Sequence, residues 1–264
     1  MRVFGYALSQ LHISPAWDRY KAWADYVGDL GVVYMPLGYS AIGHLLNYWM
    51  GIEKMMFAAY DWAHTMHGVV EQINAALLRN LDVLPESPAE VIFMGDNFSS
   101  DIQPPHFFAE WSQEFYSEAI RRAHAAGKYV AVHIDGRLGG LLKAFAEIDL
   151  DCADAVTPAP MGDLTPSECR DEAGPDMILS GGVPPNLWLP DVSDEEFKQS
   201  MVAWLDTAKR SPRLIANAGD QVPPGAVEHR IELSRDLVDK CGKYLAVAKS
   251  SVSNKSWRLP SSVA

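Results

Sequence analysis

The sequence predicts a parallel α/β barrel, and three features lead to this prediction. Short apolar runs alternate with longer helical stretches along the chain, which is typical of a parallel sheet covered by helices. The run at residues 128–132 leads directly into His133 and Asp135, and similar polar endings follow residues 91–94 and 214–216. Polar groups gathered at the downstream ends of several strands are how such a barrel builds its active site.

Seven segments are candidate strands, because each is short and apolar and is bounded by glycine, proline or polar residues. They are residues 3–8, 32–35, 91–94, 128–132, 155–157, 177–179 and 214–216. A closed barrel of this class has eight strands, so the prediction is one strand short. We expect a single domain over residues 1–250, followed by a polar tail at residues 251–264.

Helix signals fill the stretches between these strands. The predicted helices cover residues 14–31, 41–81, 106–126, 139–148, 166–173 and 226–241, with one more that starts after Ser193. Thr165 and Ser193 are predicted N-caps, since hydroxyl oxygens accept hydrogen bonds from the first free backbone N–H groups. The long stretch at residues 41–81 is expected to break near Gly51 and near Tyr60.

Composition excludes several classes of protein. The chain has 22 basic and 34 acidic residues, a net charge of −12, and no basic cluster, so nucleic acid is not an expected partner. No apolar run approaches the roughly 18 residues that a membrane-spanning helix needs. The N-terminus lacks the pattern of a signal peptide. These features predict a cytoplasmic protein without a membrane association.

The cysteine pattern predicts neither disulfide bonds nor a zinc site. Cys152, Cys169 and Cys241 are odd in number and lack CxxC spacing, which argues against disulfide pairing and against a cysteine-rich zinc site. We interpret all three as incidental thiols.

Several polar residues after the predicted strands are candidates for a site. Asp96 and Asn97 follow one strand and are predicted to act as a base or to position substrate, although a turn and helix cap explains them equally well. Tyr39, Asp163 and Asn217 also follow strands or lie in neighbouring loops, and we predict that they bind substrate.

Five segments together resemble a known family. They are Gly95–Ser100 with Pro105–Phe108, Gly127–Gly136, Gly162–Asp163, Gly181–Val183, and Gly219–Pro224 with Gly242–Tyr244. In order and spacing they are similar to segments of the uroporphyrinogen decarboxylase superfamily, which includes the cobalamin-dependent methyltransferases. The resemblance covers about residues 36–244. It implies a (β/α)8 barrel of the TIM type, here with a shortened N-terminal part and a site at the C-terminal mouth.

The resemblance also implies a metal site, because a histidine and two cysteines bind zinc in the methyltransferases of this family. His133 matches the histidine, whereas Asp135 and Asp220 stand where the two cysteines are expected. A His/Asp/Asp set still suits zinc and would also accept iron or manganese. Such a metal could polarise an ether oxygen. The alternative is that His133 and Asp135 hydrogen-bond each other and hold no metal.

These expectations lead to a predicted activity. The resemblance implies transfer of a methyl group from a small methylated compound, preferably a methyl ether, to a corrinoid carried by a partner protein. His133, Asp135 and Asp220 would hold the divalent metal, zinc in the first place, and Asp96, Asn97 and His133 would form the catalytic centre.

Two other functions remain open. A decarboxylase of uroporphyrinogen-like or other small acids fits less well, because the family's arginine pair near the start of the chain has only Arg2 and Arg19 as counterparts. A degenerate barrel that acts as a binding or assembly partner would explain the two missing thiolates. A homodimer is also left open.

Overall fold

The computed structural model describes residues 2–10 and 14–242. Its six strands are β1 (Tyr34–Gly38), β2 (Val91–Phe98), β3 (Tyr129–Ile134), β4 (Cys152–Val156), β5 (Ile178–Gly182) and β6 (Leu214–Asn217). Its α-helices are α1 (Arg2–Ser9), α2 (Trp17–Val27), α3 (Ala41–His44), α4 (Gly51–Asp61), α5 (Ala63–Arg79), α6 (Pro105–Trp111), α7 (Gln113–Ala125), α8 (Leu141–Ala146), α9 (Pro166–Ala173), α10 (Asp194–Asp206) and α11 (His229–Cys241). The predicted polar tail lies outside the described residues.

The six strands form one sheet in the order β1-β2-β3-β4-β5-β6, and every neighbouring pair is parallel. Because crossovers between parallel strands are right-handed, this sequential order places the connecting helices on one face, as in the wall of a TIM-type barrel. The predicted α/β class is therefore confirmed. Within the described residues the wall has six strands, and β1 and β6 are its two edges.

The predicted strand at residues 3–8 is wrong, because these residues form helix α1. A short apolar run without strict alternation is compatible with either structure, and packing decides here. A Cβ atom at Gly5 would lie 3.3 Å from Val69 on α5, and Arg79 at the end of α5 donates a hydrogen bond to the carbonyl of Ser9. The contact with α5 thus favours the helix.

The long predicted helix at residues 41–81 is interrupted much as expected. Residues Leu45–Met50 form a π-helical segment between α3 and α4, and Gly51 takes a positive φ of 74°. The second break lies at Trp62, two residues after the predicted position. The predicted N-caps are confirmed, since Thr165 and Ser193 accept backbone hydrogen bonds at the starts of α9 and α10.

Successive side chains along each strand point to opposite faces of the sheet. One is the core face, which packs against the helices, and the other is the inner face, which points away from them. In β3, Val130, Val132 and Ile134 are buried in the main hydrophobic core with helical residues. Since side chains alternate along a strand, His133 projects from the inner face.

No helix among residues 2–10 and 14–242 is long and apolar enough to cross a membrane.

Candidate functional site

A row of polar side chains crosses the inner face from β3 through β4 and β5 to the end of β6. Nδ1 of His133 on β3 lies 3.5 Å from Oδ2 of Asp154 on β4. The other oxygen of Asp154 accepts a 3.1 Å hydrogen bond from Ser180 on β5. The amide of Asn217 on β6 donates a 2.9 Å bond to the hydroxyl of Ser180. With Asp135, which follows β3, these residues are called the polar row below.

The strand register explains why the row forms. His133 and Asp154 are Cα partners in the parallel β3–β4 ladder, so their side chains project side by side from the same face. Ala153 pairs with Leu179 in the next ladder, which brings Ser180 opposite Asp154. The hydrogen bond from the backbone N–H of Gly219 to the side-chain oxygen of Asn217 then fixes the last member.

Two carboxylates surround the imidazole of His133. Its Nε2 lies 3.7 Å from Oδ2 of Asp135, while Nδ1 faces Asp154. Burial alone lowers the pKa of His133, but Asp135 and Asp154 outweigh this effect and raise the pKa to about 9. The ring therefore carries a proton on both nitrogens at neutral pH. Its side chain is 19% exposed, so it remains within reach of a small ligand.

Aromatic rings line the inner face beside the row. Tyr34 on β1 stacks on Phe93 with ring centroids 5.5 Å apart, and the Phe93 ring lies 6.2 Å from that of His133. Burial, together with Cys152 and Asp154, raises the pKa of the Tyr34 phenol. Cys152 is itself buried and its pKa is raised to about 12, so its thiol stays neutral and is not a ready metal ligand.

The three side chains predicted to hold a metal do not form a metal-binding group within the described residues. Among residues 2–10 and 14–242, no group of three or more His, Cys, Asp or Glu side chains is arranged to hold a metal ion. Both nitrogens of His133 face Asp135 or Asp154, and Asp220 forms no ion pair with it in the described part. Because three protein ligands are the usual minimum for a catalytic zinc, the arrangement does not fit the implied zinc site. The ligand set stays a prediction.

Asp96 belongs to a different environment from the one predicted for it. Its side chain is 1% exposed and accepts hydrogen bonds from the backbone N–H and the hydroxyl of Ser40, at the start of α3. Burial raises the pKa of Asp96 to about 6, although the hydrogen bonds from Ser40 oppose this effect. Asp96 thus anchors α3 to β2 on the helical side of the sheet, and the structure does not place it with His133.

The other predicted site residues are dispersed. Asn97 is exposed at the end of β2 with a positive φ of 51°. The ring of Tyr39 packs against those of His44 and Tyr48, at 5.9 and 5.3 Å. The carboxylate of Asp163 accepts a 2.7 Å bond from the backbone of Leu138 and so ties two loops together. Of the predicted substrate-binding residues, only Asn217 joins the polar row.

Two members of the row, Asp154 and Ser180, were not predicted. The predicted strand at residues 155–157 began after Asp154, whereas β4 starts at Cys152. The sequence does contain a signal for this longer strand. Residues 151–156 have the composition of a strand, and in such a strand Cys152 and Asp154 share one face. The sequence predicts Ser180 at the start of a loop, but Ser180 lies within β5.

Residues 39–241 match the profile of the family described as uroporphyrinogen decarboxylase (URO-D). The chain belongs to the URO-D family. A solved structure described as a methyltransferase from Methanosarcina mazei is similar to it, with a TM-score of 0.64 and 15% sequence identity. The similarity covers 83% of this chain and 62% of that one, so the chain spans less than two thirds of the length of that structure. No curated protein sequence matches the chain.

The URO-D assignment confirms the predicted family, and the structural similarity supports a shared fold. Cys152, Cys169 and Cys241 are free thiols, as the sequence indicated.

Proposed function

We propose that this URO-D family chain is a methyltransferase that moves a methyl group from a small methyl ether to a corrinoid carried by a partner protein. Membership of the family and similarity to a structure described as a methyltransferase support the class of reaction. The observation that carries the proposal is the position of His133 between Asp135 and Asp154.

The charge of the polar row favours this reaction over decarboxylation of a polyacid. Two carboxylates flank one protonated imidazole, which gives a net charge of −1 (+1 − 2). The row contains no arginine or lysine, and such a site repels a substrate with several carboxylates. A neutral methylated compound meets no such repulsion.

His133 is suited to donate a proton to the leaving oxygen. Asp154 orients Nδ1, while the Nε2 proton faces Oδ2 of Asp135 at 3.7 Å and can pass to a substrate oxygen that approaches more closely. In the proposed step the bond between the methyl carbon and the ether oxygen breaks, and the methyl group passes to the reduced cobalt of the corrinoid, which supplies the electron pair. The oxygen keeps the pair of the broken bond and takes the Nε2 proton of His133. Solvent then restores that proton.

No step of this proposal depends on a bound metal, since the described residues do not fit one. His133 supplies the positive charge and the proton that a Lewis acid would otherwise supply. The partner protein and the homodimer stay predictions.

The test uses the purified chain, free cob(I)alamin as methyl acceptor and a panel of small aryl and alkyl methyl ethers. We expect methylation of the cobalamin, followed by absorbance, with release of the corresponding alcohol. His133→Gln should reduce the rate by about a hundredfold, which is typical for loss of a general acid. His229→Gln serves as the matched control, because His229 is an exposed histidine paired with Asp194 on α10, away from the row.

Three results would contradict the proposal. Release of carbon dioxide from small carboxylic acids would identify a decarboxylase instead. Full activity of His133→Gln would remove the proton donor. Absence of turnover with every ether, together with stable binding to another protein that survives His133→Gln, would identify a non-catalytic binding role.

A further inference from the structure

A cleft of about 500 Å³ lies between α2 and the edge strand β1, apart from the polar row. Aromatic side chains form much of its wall, namely Trp17, Tyr20 and Trp23 from α2 and Tyr34 from β1. Helix α2 buries none of its residues, so these rings are held beside the strand without being part of the core. The volume is in the range of cavities that bind small organic molecules.

The cleft is not suited to an added β-strand. Pro36 lies within β1, and proline is tolerated in a sheet at an edge whose nitrogen does not need to donate. An incoming strand would therefore lack one backbone donor. The hydroxyl of Tyr20 also donates a 3.2 Å hydrogen bond to the carbonyl of Val33, just before β1. A flat small molecule fits this space better than a peptide strand.

Arg19 gives the cleft its only charge among the described residues that line it. Its side chain is exposed and forms no ion pair within residues 2–10 and 14–242. An open hollow of about 490 Å³ on the same helix also contains Arg19 and Trp23, together with Tyr26. In a chain with a net charge of −12, a cation without a carboxylate partner beside several aromatic rings marks a place for an anion.

We propose that this cleft binds a planar aromatic carboxylate, with the ring against Trp17, Tyr20 and Trp23 and the carboxylate paired with Arg19. Aromatic rings pack offset or edge-to-face against such a ring, and the guanidinium matches the planar carboxylate through paired hydrogen bonds. The ligand would also contact Tyr34, which stacks on Phe93 next to His133. Binding in the cleft does not depend on the proposed reaction.

The test is calorimetric titration of the full chain with 1-naphthoate and with its neutral analogue 1-naphthalenemethanol. We expect 1-naphthoate to bind more tightly than the alcohol by about tenfold, the size of one charge-assisted interaction. Arg19→Gln should remove this preference and leave the alcohol unaffected, whereas Arg19→Lys should keep most of it. Trp23→Ala should weaken both ligands. Arg121→Gln, at an exposed arginine on α7, should change neither.

The proposal is overturned if 1-naphthoate does not bind at millimolar concentration, or if Arg19→Gln binds it as well as the wild type does. His133→Gln separates this proposal from the preceding one. It should slow methyl transfer by about a hundredfold and leave the affinity for 1-naphthoate unchanged. Loss of affinity in that variant would place the ligand at the polar row instead.

Discussion

Nδ1 of His133 and Oδ2 of Asp154 lie 3.5 Å apart on adjacent strands, and their Cα atoms are partners in the same ladder. The strand register itself therefore holds the histidine beside its carboxylate. A side chain oriented in this way keeps its second nitrogen directed elsewhere, which is the arrangement that a proton donor or acceptor requires.

Asp154→Asn should lower the pKa of His133 by about one unit or more, because it removes one of the two carboxylates that stabilise the charged ring. The measurement is a histidine titration by NMR. Asp151→Asn is the control, since Asp151 pairs with His124 at the other end of the strand. Unchanged titration of His133 in Asp154→Asn would show that the pair does not form in solution.

The rate of the proposed methyl transfer should decline as the pH rises through about 9, because His133 then loses the proton that it donates. Asp154→Asn should move this decline to lower pH. A profile of kcat against pH, with cob(I)alamin kept reduced throughout, provides the check. A decline at the same pH in His133→Gln would assign it to another group.

Asp96 should make the stability depend on pH in an unusual direction for a carboxylate. Its folded pKa of about 6 lies above the ordinary 3.8, so its contribution to the free energy of unfolding is complete below about pH 3.8. That contribution is lost as the pH rises through about 6. A shift of this size corresponds to about 3 kcal/mol.

The measurement for Asp96 compares urea unfolding of the wild type and Asp96→Asn at several pH values. The stability of the asparagine variant relative to the wild type should increase between about pH 4 and pH 7, because asparagine does not ionise. A constant difference would mean that Asp96 titrates normally.

Gly43→Ala should destabilise the fold by about 1–3 kcal/mol, the usual cost of inserting an atom into a packed site. The new Cβ atom would clash with Oδ1 of Asp96. Gly68→Ala is the matched control, since Gly68 also lies in a helix but has no atom within 4 Å of the added group. It should stabilise by up to about 1 kcal/mol. The measurement is the thermal unfolding temperature of both variants. Equal changes in that temperature would contradict the placement of Asp96 beside Gly43.

Purified protein should contain less than one equivalent of zinc, and Asp220→Ala should not change its metal content. The reason is that two carboxylates flank the protonated ring of His133, and that no group of three or more ligand-type side chains among the described residues is arranged to hold a metal. Elemental analysis of both proteins is the measurement. A stoichiometric metal that falls in Asp220→Ala would restore the His133, Asp135 and Asp220 ligand set.

Six of the strands were predictable because each is a short apolar run that is followed by glycine, proline or a polar residue. Residues 128–132 and His133 are an example, since the apolar run and its polar ending mark both the strand and its function. The strand predicted at residues 3–8 is wrong, because the local pattern of apolar residues does not show that Gly5 packs against Val69 on α5.

The site was only partly predictable, for a related reason. His133 and Asn217 were found because they stand at strand ends, but the partner of His133 depends on the register between β3 and β4. Register is a long-range property, so nothing within either segment specifies that Asp154 comes opposite His133. The same limit applies to Asp96, whose contact with Ser40 crosses from β2 to the start of α3.

The sequential strand order has a consequence for how the chain folds during synthesis. Each strand pairs only with the strands immediately before and after it in the chain, and the two edge strands do not pair with each other in the described part. Contacts of short sequence separation form early and at low entropic cost. The sheet can therefore grow one strand and helix at a time as the chain leaves the ribosome, without waiting for its last strand.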